Sequence, residues 1–160
     1  MKKTLAIALT GLATLALASP SFAQSFNPSS GSVSGSGSVA LRQSVNVTCN
    51  VGVTLSPISA NSAPIPTRSI TRGSLLCAAV APYGSWSAAP VPGSTNQIDL
   101  TIGANTVAND PCYGTVRVAY NNANSSVSFN NNVLPPVNAG GNACTLVSGT
   151  ITLPGLTITP

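Results

Sequence analysis

The sequence of 160 residues contains no histidine and no glutamate, and its only acidic side chains are Asp99 and Asp110. General acid/base catalysis needs two titratable groups in different environments, and a serine triad needs an imidazole. Two carboxylates without an imidazole are also too few ligands for a metal site. We therefore expect a protein that is not an enzyme and that has no catalytic residues, no metal and no cofactor.

Basic residues are also scarce. Two of the six are Lys2 and Lys3, and the others are spread thinly along the chain as Arg42, Arg68, Arg72 and Arg117. Nucleic-acid binding needs a concentrated basic stripe, so we expect no nucleic-acid partner. The residues after position 23 carry a net charge of only about +2, from four arginines and two aspartates. The hydrophilic surface must therefore be built mainly from serine, threonine and asparagine.

The first 23 residues have the features of a bacterial export signal. Lys2 and Lys3 precede an apolar run from residue 5 to 18, and the small residues Ser21 and Ala23 stand at the positions that a signal peptidase recognises. The run is too short to span a bilayer, and no later stretch is longer. We predict a signal peptide at 1–23, a single secreted β domain at 24–160, no transmembrane segment, and an extracellular or periplasmic location.

Four cysteines in an exported chain predict two disulfides. Their wide spacing and the lack of histidine disfavour zinc, whose cysteine ligands usually come in close pairs. Three pairings can be drawn. We favour Cys49 with Cys77 and Cys112 with Cys144, because each bond then closes one local loop around a pair of strands.

Strand patterns occupy most of the predicted domain. Apolar residues alternate with polar ones from Val45 to Leu55, which predicts a strand with Cys49 on its buried face. The segment 116–129 predicts a hairpin with its turn at 121–124. The Ser/Gly-rich segment 24–38 is either a flexible leader or a first edge strand. Seven to nine short strands without helical periodicity favour an all-β fold, an antiparallel β-sandwich or an open barrel.

Aromatic residues are the best candidates for a binding role in a chain with so little reactive chemistry. Tyr83 and Trp86 flank Gly84 after a proline and could form an exposed contact surface; the alternative is that they pack in the core. A surface with few charges repels itself weakly. Candidate partners are therefore a hydrophobic interface such as an oil/water boundary, polysaccharide or other cell-surface material, and further copies of the same chain.

Several motifs together resemble a bacterial family of exported activators of alkane oxidation. The resemblance covers 26–160 and rests on the placement of the cysteines and on five segments: Cys77-Ala-Ala-Val-Ala-Pro-Tyr-Gly-Ser-Trp86, Ile102-Gly-Ala-Asn-Thr106, Cys112-Tyr-Gly-Thr-Val116, Tyr120-Asn-Asn-Ala123 and Cys144-Thr-Leu-Val-Ser-Gly149. It implies a small extracellular protein that helps a bacterium to use n-alkanes, and it implies no catalytic residue.

Two functional hypotheses follow. The first is a secreted accessory protein that promotes alkane uptake or oxidation through surface or interfacial contacts. The second is a pilin-like, matrix or adhesin subunit assembled by β-strand addition, for which the C-terminal segment Leu156 to Thr159 is the better candidate edge.

Overall fold

The computed structural model describes residues 23–71 and 73–160. Most of the predicted signal peptide, and Arg72, therefore lie outside the described residues. Strands make up more than half of the described part, which contains one short 3-10 helix at Leu75–Ala79 and no α-helix. This confirms the all-β prediction. The strands are β1 Ser25–Asn27, β2 Val33–Arg42, β3 Asn46–Leu55, β4 Ala63–Ile65, β5 Thr67–Thr71, β6 Ala81–Pro82, β7 Trp86–Pro90, β8 Gln97–Asn105, β9 Pro111–Asn121, β10 Ser126–Leu134, β11 Cys144–Thr152 and β12 Thr157–Thr159.

Nine of these strands form one antiparallel sheet that curls into a nearly closed barrel. Their order is β4-β7-β8-β9-β10-β11-β2-β3-β5, and β6 pairs with the end of β8. The two edge strands, β4 and β5, are consecutive in the chain and are separated only by Pro66. The chain thus passes directly from one edge of the sheet to the other. We call the place where these edges meet the seam.

Alternation along β3 places its apolar side chains in the barrel interior, as the sequence predicts. Val47, Cys49, Val51, Val53 and Leu55 are all buried, and the residues between them are exposed or half-buried. Val45 continues the apolar pattern but lies before the strand begins and is exposed. The predicted hairpin is also confirmed, with β9 and β10 pairing next to the turn from Asn121 to Ser126.

Strand β2 corrects the prediction for the later part of the Ser/Gly-rich segment, residues 33–38, whereas β1 at Ser25–Asn27 is a first strand with a single partner, β12. Strand β2 begins at Val33 and lies between β11 and β3, so it is neither a flexible leader nor an edge. Its glycines are explained by the close approach of β11: a Cβ atom on Gly37 would lie 1.8 Å from the Thr150 carbonyl oxygen, and one on Gly35 would lie 2.2 Å from that of Thr152. Only glycine fits there without displacing backbone.

The last strand, β12, is not an open edge. It pairs with β1 in a separate two-stranded sheet, and Phe26 and Ile158 face each other with almost no exposure. On its other side, the Asn122 side chain accepts a hydrogen bond from the Ile158 N–H at 2.8 Å and donates one to the Ile158 carbonyl at 3.0 Å. The amide takes the place of a neighbouring strand. The expectation that Leu156 to Thr159 offers a free edge is therefore wrong.

Two disulfides connect parts of the fold that the backbone ladders leave separate. Cys49 bonds to Cys77 and Cys112 bonds to Cys144, with Cα–Cα distances of 5.6 and 5.9 Å. The favoured pairing is thus confirmed. The first bond attaches the 3-10 helix to β3, and the second joins the starts of β9 and β11.

Candidate functional site

Both carboxylates have structural partners. Asp99 on β8 accepts two hydrogen bonds of 2.9 Å from Arg117 on the neighbouring strand β9. The hydrogen bond and the charge of Asp99 raise the pKa of Arg117 above its ordinary value. Asp110 accepts a hydrogen bond of 2.8 Å from the backbone N–H of Asn142 and so ties two loops together. These contacts hold strands and loops in place.

Residues 23–71 and 73–160 contain no group of three or more His, Cys, Asp or Glu side chains that could hold a metal ion. All four cysteines are oxidised. The same ranges contain no helix that is long and apolar enough to cross a membrane.

Trp86 does not form an exposed platform with Tyr83. Its side chain is 8% exposed and belongs to the core, so the alternative of core packing holds for the indole. The indole Nε1 donates to the carbonyl oxygens of Tyr83 and Gly103 at 3.0 and 3.1 Å, which satisfies the buried donor. Tyr83 remains 36% exposed, with its ring edge-on to Tyr113.

Arg68 closes the seam above Trp86. From β5, its guanidinium donates to the Ile65 carbonyl of β4 at 3.2 Å and to the Gly84 carbonyl at 2.7 Å. The same group lies 5.9 Å from the centre of the indole ring, within the range of a cation–π contact. One side chain therefore links both edges of the sheet where no strand ladder joins them.

An apolar cavity of about 70 Å³ lies inside the barrel. Its walls come from nearly every strand of the main sheet and consist of aliphatic and aromatic side chains together with Gly103 and Cys49. Ile65, Ile70 and Trp86, from β4, β5 and β7, place part of the wall directly at the seam. The alternation of each strand shows which side chains face the interior, but it does not show how completely they fill it. The cavity therefore could not be predicted from the sequence.

An exposed pair of leucines is the second apolar feature that sequence reasoning missed. Leu75 and Leu76 begin the 3-10 helix and are 95% and 48% exposed, whereas the next residue, Cys77, is buried and bonded to Cys49. The disulfide fixes the turn, so the leucines cannot reach the core. The available sequence signal was an adjacent pair of large apolar residues that follows Gly73 and Ser74 and belongs to no alternating strand.

The fold and these features together define a disulfide-bonded, barrel-like β domain with an apolar cavity, an exposed leucine pair and no cluster of metal-ligating side chains in its described residues. Over residues 1–160 the sequence matches the model of a family described as alkane oxidation protein activator PraA/PraB-like, so the chain belongs to that family. The resemblance found from the motifs is confirmed. No significant match was found among curated proteins or among solved structures.

Proposed function

We propose that this chain is a secreted, non-enzymatic accessory protein that promotes bacterial alkane uptake or oxidation through contacts with a hydrophobic interface. Membership of a family named for the activation of alkane oxidation supports the biological setting. The observation that carries the interfacial mechanism is the Leu75–Leu76 pair, held outside the barrel by the Cys49–Cys77 disulfide.

The leucine pair has the energetics of a reversible anchor. Moving a fully exposed leucine side chain into an apolar phase is worth about 1.5 to 3 kcal/mol, and the half-exposed Leu76 adds less. The turn is already fixed, so little conformational entropy is lost on contact. The combined transfer free energy of the two leucines supports weak, reversible contact with an oil surface. Such contact does not require the barrel to unfold.

Low surface charge supports the same function. The residues after position 23 carry four arginines and two aspartates, so copies of the protein repel one another weakly when they crowd at an interface. The predicted signal peptide at 1–23 and the two disulfides support an extracellular or periplasmic location, where an oil surface or the cell envelope is within reach.

Adsorption to an oil surface tests the mechanism directly. The exported protein is equilibrated with a hexadecane–water emulsion, and the bound fraction is compared between the parent and the double variant Leu75→Ser/Leu76→Ser. We expect the variant to bind about 10- to 100-fold more weakly, given the transfer energies of the two side chains.

The matched control is Val133→Ser, which removes a 56% exposed apolar side chain from β10. It should retain at least a third of the parent's affinity. Equal binding by the parent and the double-leucine variant would contradict the interfacial mechanism.

Growth tests the biological role. A deletion strain should grow more slowly than its parent on a long-chain alkane and equally well on a soluble carbon source, and the gene for the double-leucine variant should restore growth only in part. Equal growth of the deletion strain and its parent on the alkane would remove the proposal. Regular filaments of the protein in negative-stain micrographs would favour the fibre-subunit hypothesis.

A further inference from the structure

The cavity inside the barrel is apolar on all sides. Its walls are formed by valine, leucine and isoleucine side chains with Phe129 and Trp86, and they present almost no polar surface. The polar hydrogen of the lining residue Trp86, on its indole nitrogen, already donates to two carbonyl oxygens. A buried water needs two to four polar partners, so this space does not suit water.

The empty space also leaves its walls short of contacts. Side chains that face a void lose the dispersion attraction that a close-packed neighbour would supply. A molecule without hydrogen-bonding groups restores that attraction and leaves no polar atom unsatisfied. The chemistry of the walls thus selects a hydrocarbon over an alcohol, an acid or a sugar.

The volume of the cavity limits the size of the hydrocarbon that it can hold. An engineered apolar cavity of about 150 Å³ in another protein holds benzene, and the present cavity of about 70 Å³ is half that size. Since a water molecule occupies about 30 Å³ in the liquid and a methylene group is of similar size, the space suits about two to four carbon atoms.

We propose that the barrel interior binds a short saturated hydrocarbon, an n-alkane of about two to four carbons, in this cavity. We place the route to it at the seam, because Ile65, Ile70 and Trp86 line the cavity there and the Arg68 side chain, rather than a strand ladder, bridges the two sheet edges. The inference extends the proposed function by naming a hydrocarbon class, and it rests on that function only for its biological setting.

Methyl NMR with n-butane as the probe tests the proposal. The exported protein is equilibrated with n-butane at increasing pressure, and the methyl signals of Val51 and Val127, which line the cavity, are compared with those of Val118, which is buried outside it. We expect saturable shifts at the first two residues and none at the third. Benzene at equal thermodynamic activity should give no saturable shift.

Two conservative variants connect the signal to the cavity. Val127→Ile adds one methylene group toward the void and should weaken n-butane binding at least fivefold, whereas Val118→Ile should change it less than twofold. If the Val127→Ile protein does not fold, Val51→Ile is measured in its place. An absence of saturable shifts in the parent, or unchanged n-butane affinity in a folded Val127→Ile or Val51→Ile protein, would overturn the inference.

The oil-adsorption assay separates this inference from the proposed function. The cavity variants keep Leu75 and Leu76 and should adsorb to hexadecane like the parent. If n-butane does not bind while adsorption still depends on the leucine pair, only the inference fails. If n-butane binds and adsorption is independent of the leucines, only the interfacial mechanism fails.

Discussion

Two sides of the barrel are joined in different ways. Within the sheet, β2 and β3 pair over ten residues each, and β11 continues the ladder on the other side of β2. At the seam, the edges are β4 and β5, with three and five residues, and a guanidinium links them. Backbone pairing fixes the first side along its length, whereas the seam is joined by the Arg68 side chain, by Pro66 in the chain and by one backbone hydrogen bond from Ser56 to the Pro64 carbonyl.

This difference predicts an uneven distribution of local stability. A strand held on both sides by long ladders opens only when much of the sheet opens, whereas short edge strands can separate at lower cost. The cavity and the exposed leucine turn are both close to the less firmly joined side, since Ile70 on β5 lines the cavity and β5 also contacts the 3-10 helix. Four predictions test the comparison.

The largest expected effect comes from removing a disulfide. Cys49→Ser/Cys77→Ser and Cys112→Ser/Cys144→Ser each open a loop of about 30 residues, and the chain-entropy model gives a loss of about 3.5 kcal/mol in the free energy of unfolding for each. Urea denaturation measures both losses. Limited proteolysis should then cut the first variant near the 3-10 helix and spare that region in the second; identical cleavage would contradict the comparison.

The next largest loss of stability is expected where β2 and β11 approach each other closely. Gly37→Ala places a methyl group against the backbone of β11 and should cost about 1 to 3 kcal/mol of unfolding free energy. Gly52→Ala on β3 is the matched control, because its new methyl group meets only the Ser69 hydroxyl, which can rotate away. Thermal denaturation should show a large loss for the first variant and little change for the second.

At the seam, Arg68→Ala should cost about 1 to 2 kcal/mol, because it removes two hydrogen bonds to backbone carbonyls and the contact with Trp86. Amide hydrogen exchange should accelerate in β4 and β5 and remain slow in β2. Arg42→Ala, which truncates an exposed arginine at the end of β2, should leave both regions unchanged. Uniform acceleration in the Arg68 variant would show that the seam is not a separate weak point.

The smallest effect appears only in strong alkali. Burial raises the pKa of Tyr120 from 10.0 to about 12, and its hydroxyl donates to the Leu156 carbonyl. Because the unfolded chain loses this proton first, stability should be constant below about pH 10 and should fall as the pH rises through 12. Tyr120→Phe should reduce this decline. An equal decline in both proteins between pH 10 and 12 would assign it to other groups.

The sequence predicted the features that depend on local pattern. Period-two alternation placed Cys49 inside the barrel, and the asparagine-rich turn located the hairpin of β9 and β10. Local loop closure also selected the correct disulfide pairing. These features depend on residues that are close in the chain or on one repeated spacing.

Features set by distant neighbours could not be predicted. Gly37 suggests flexibility in the sequence, but it is required by the backbone of β11, more than a hundred residues later. Trp86 was a candidate contact residue, yet two distant elements supply its environment: the carbonyl of Gly103 and the guanidinium of Arg68. Leu75 is exposed because its neighbour is tied to Cys49, which alternation cannot show.

Pairing of β1 with β12 places Ser25 opposite Thr159. These two residues therefore lie side by side, so that a peptide linker of a few residues could join them while new termini are opened in a loop elsewhere. Such a circularly permuted protein should keep the barrel, the seam and the leucine turn. A fluorescent label or surface tether attached at either end would also hold the domain from nearly the same point.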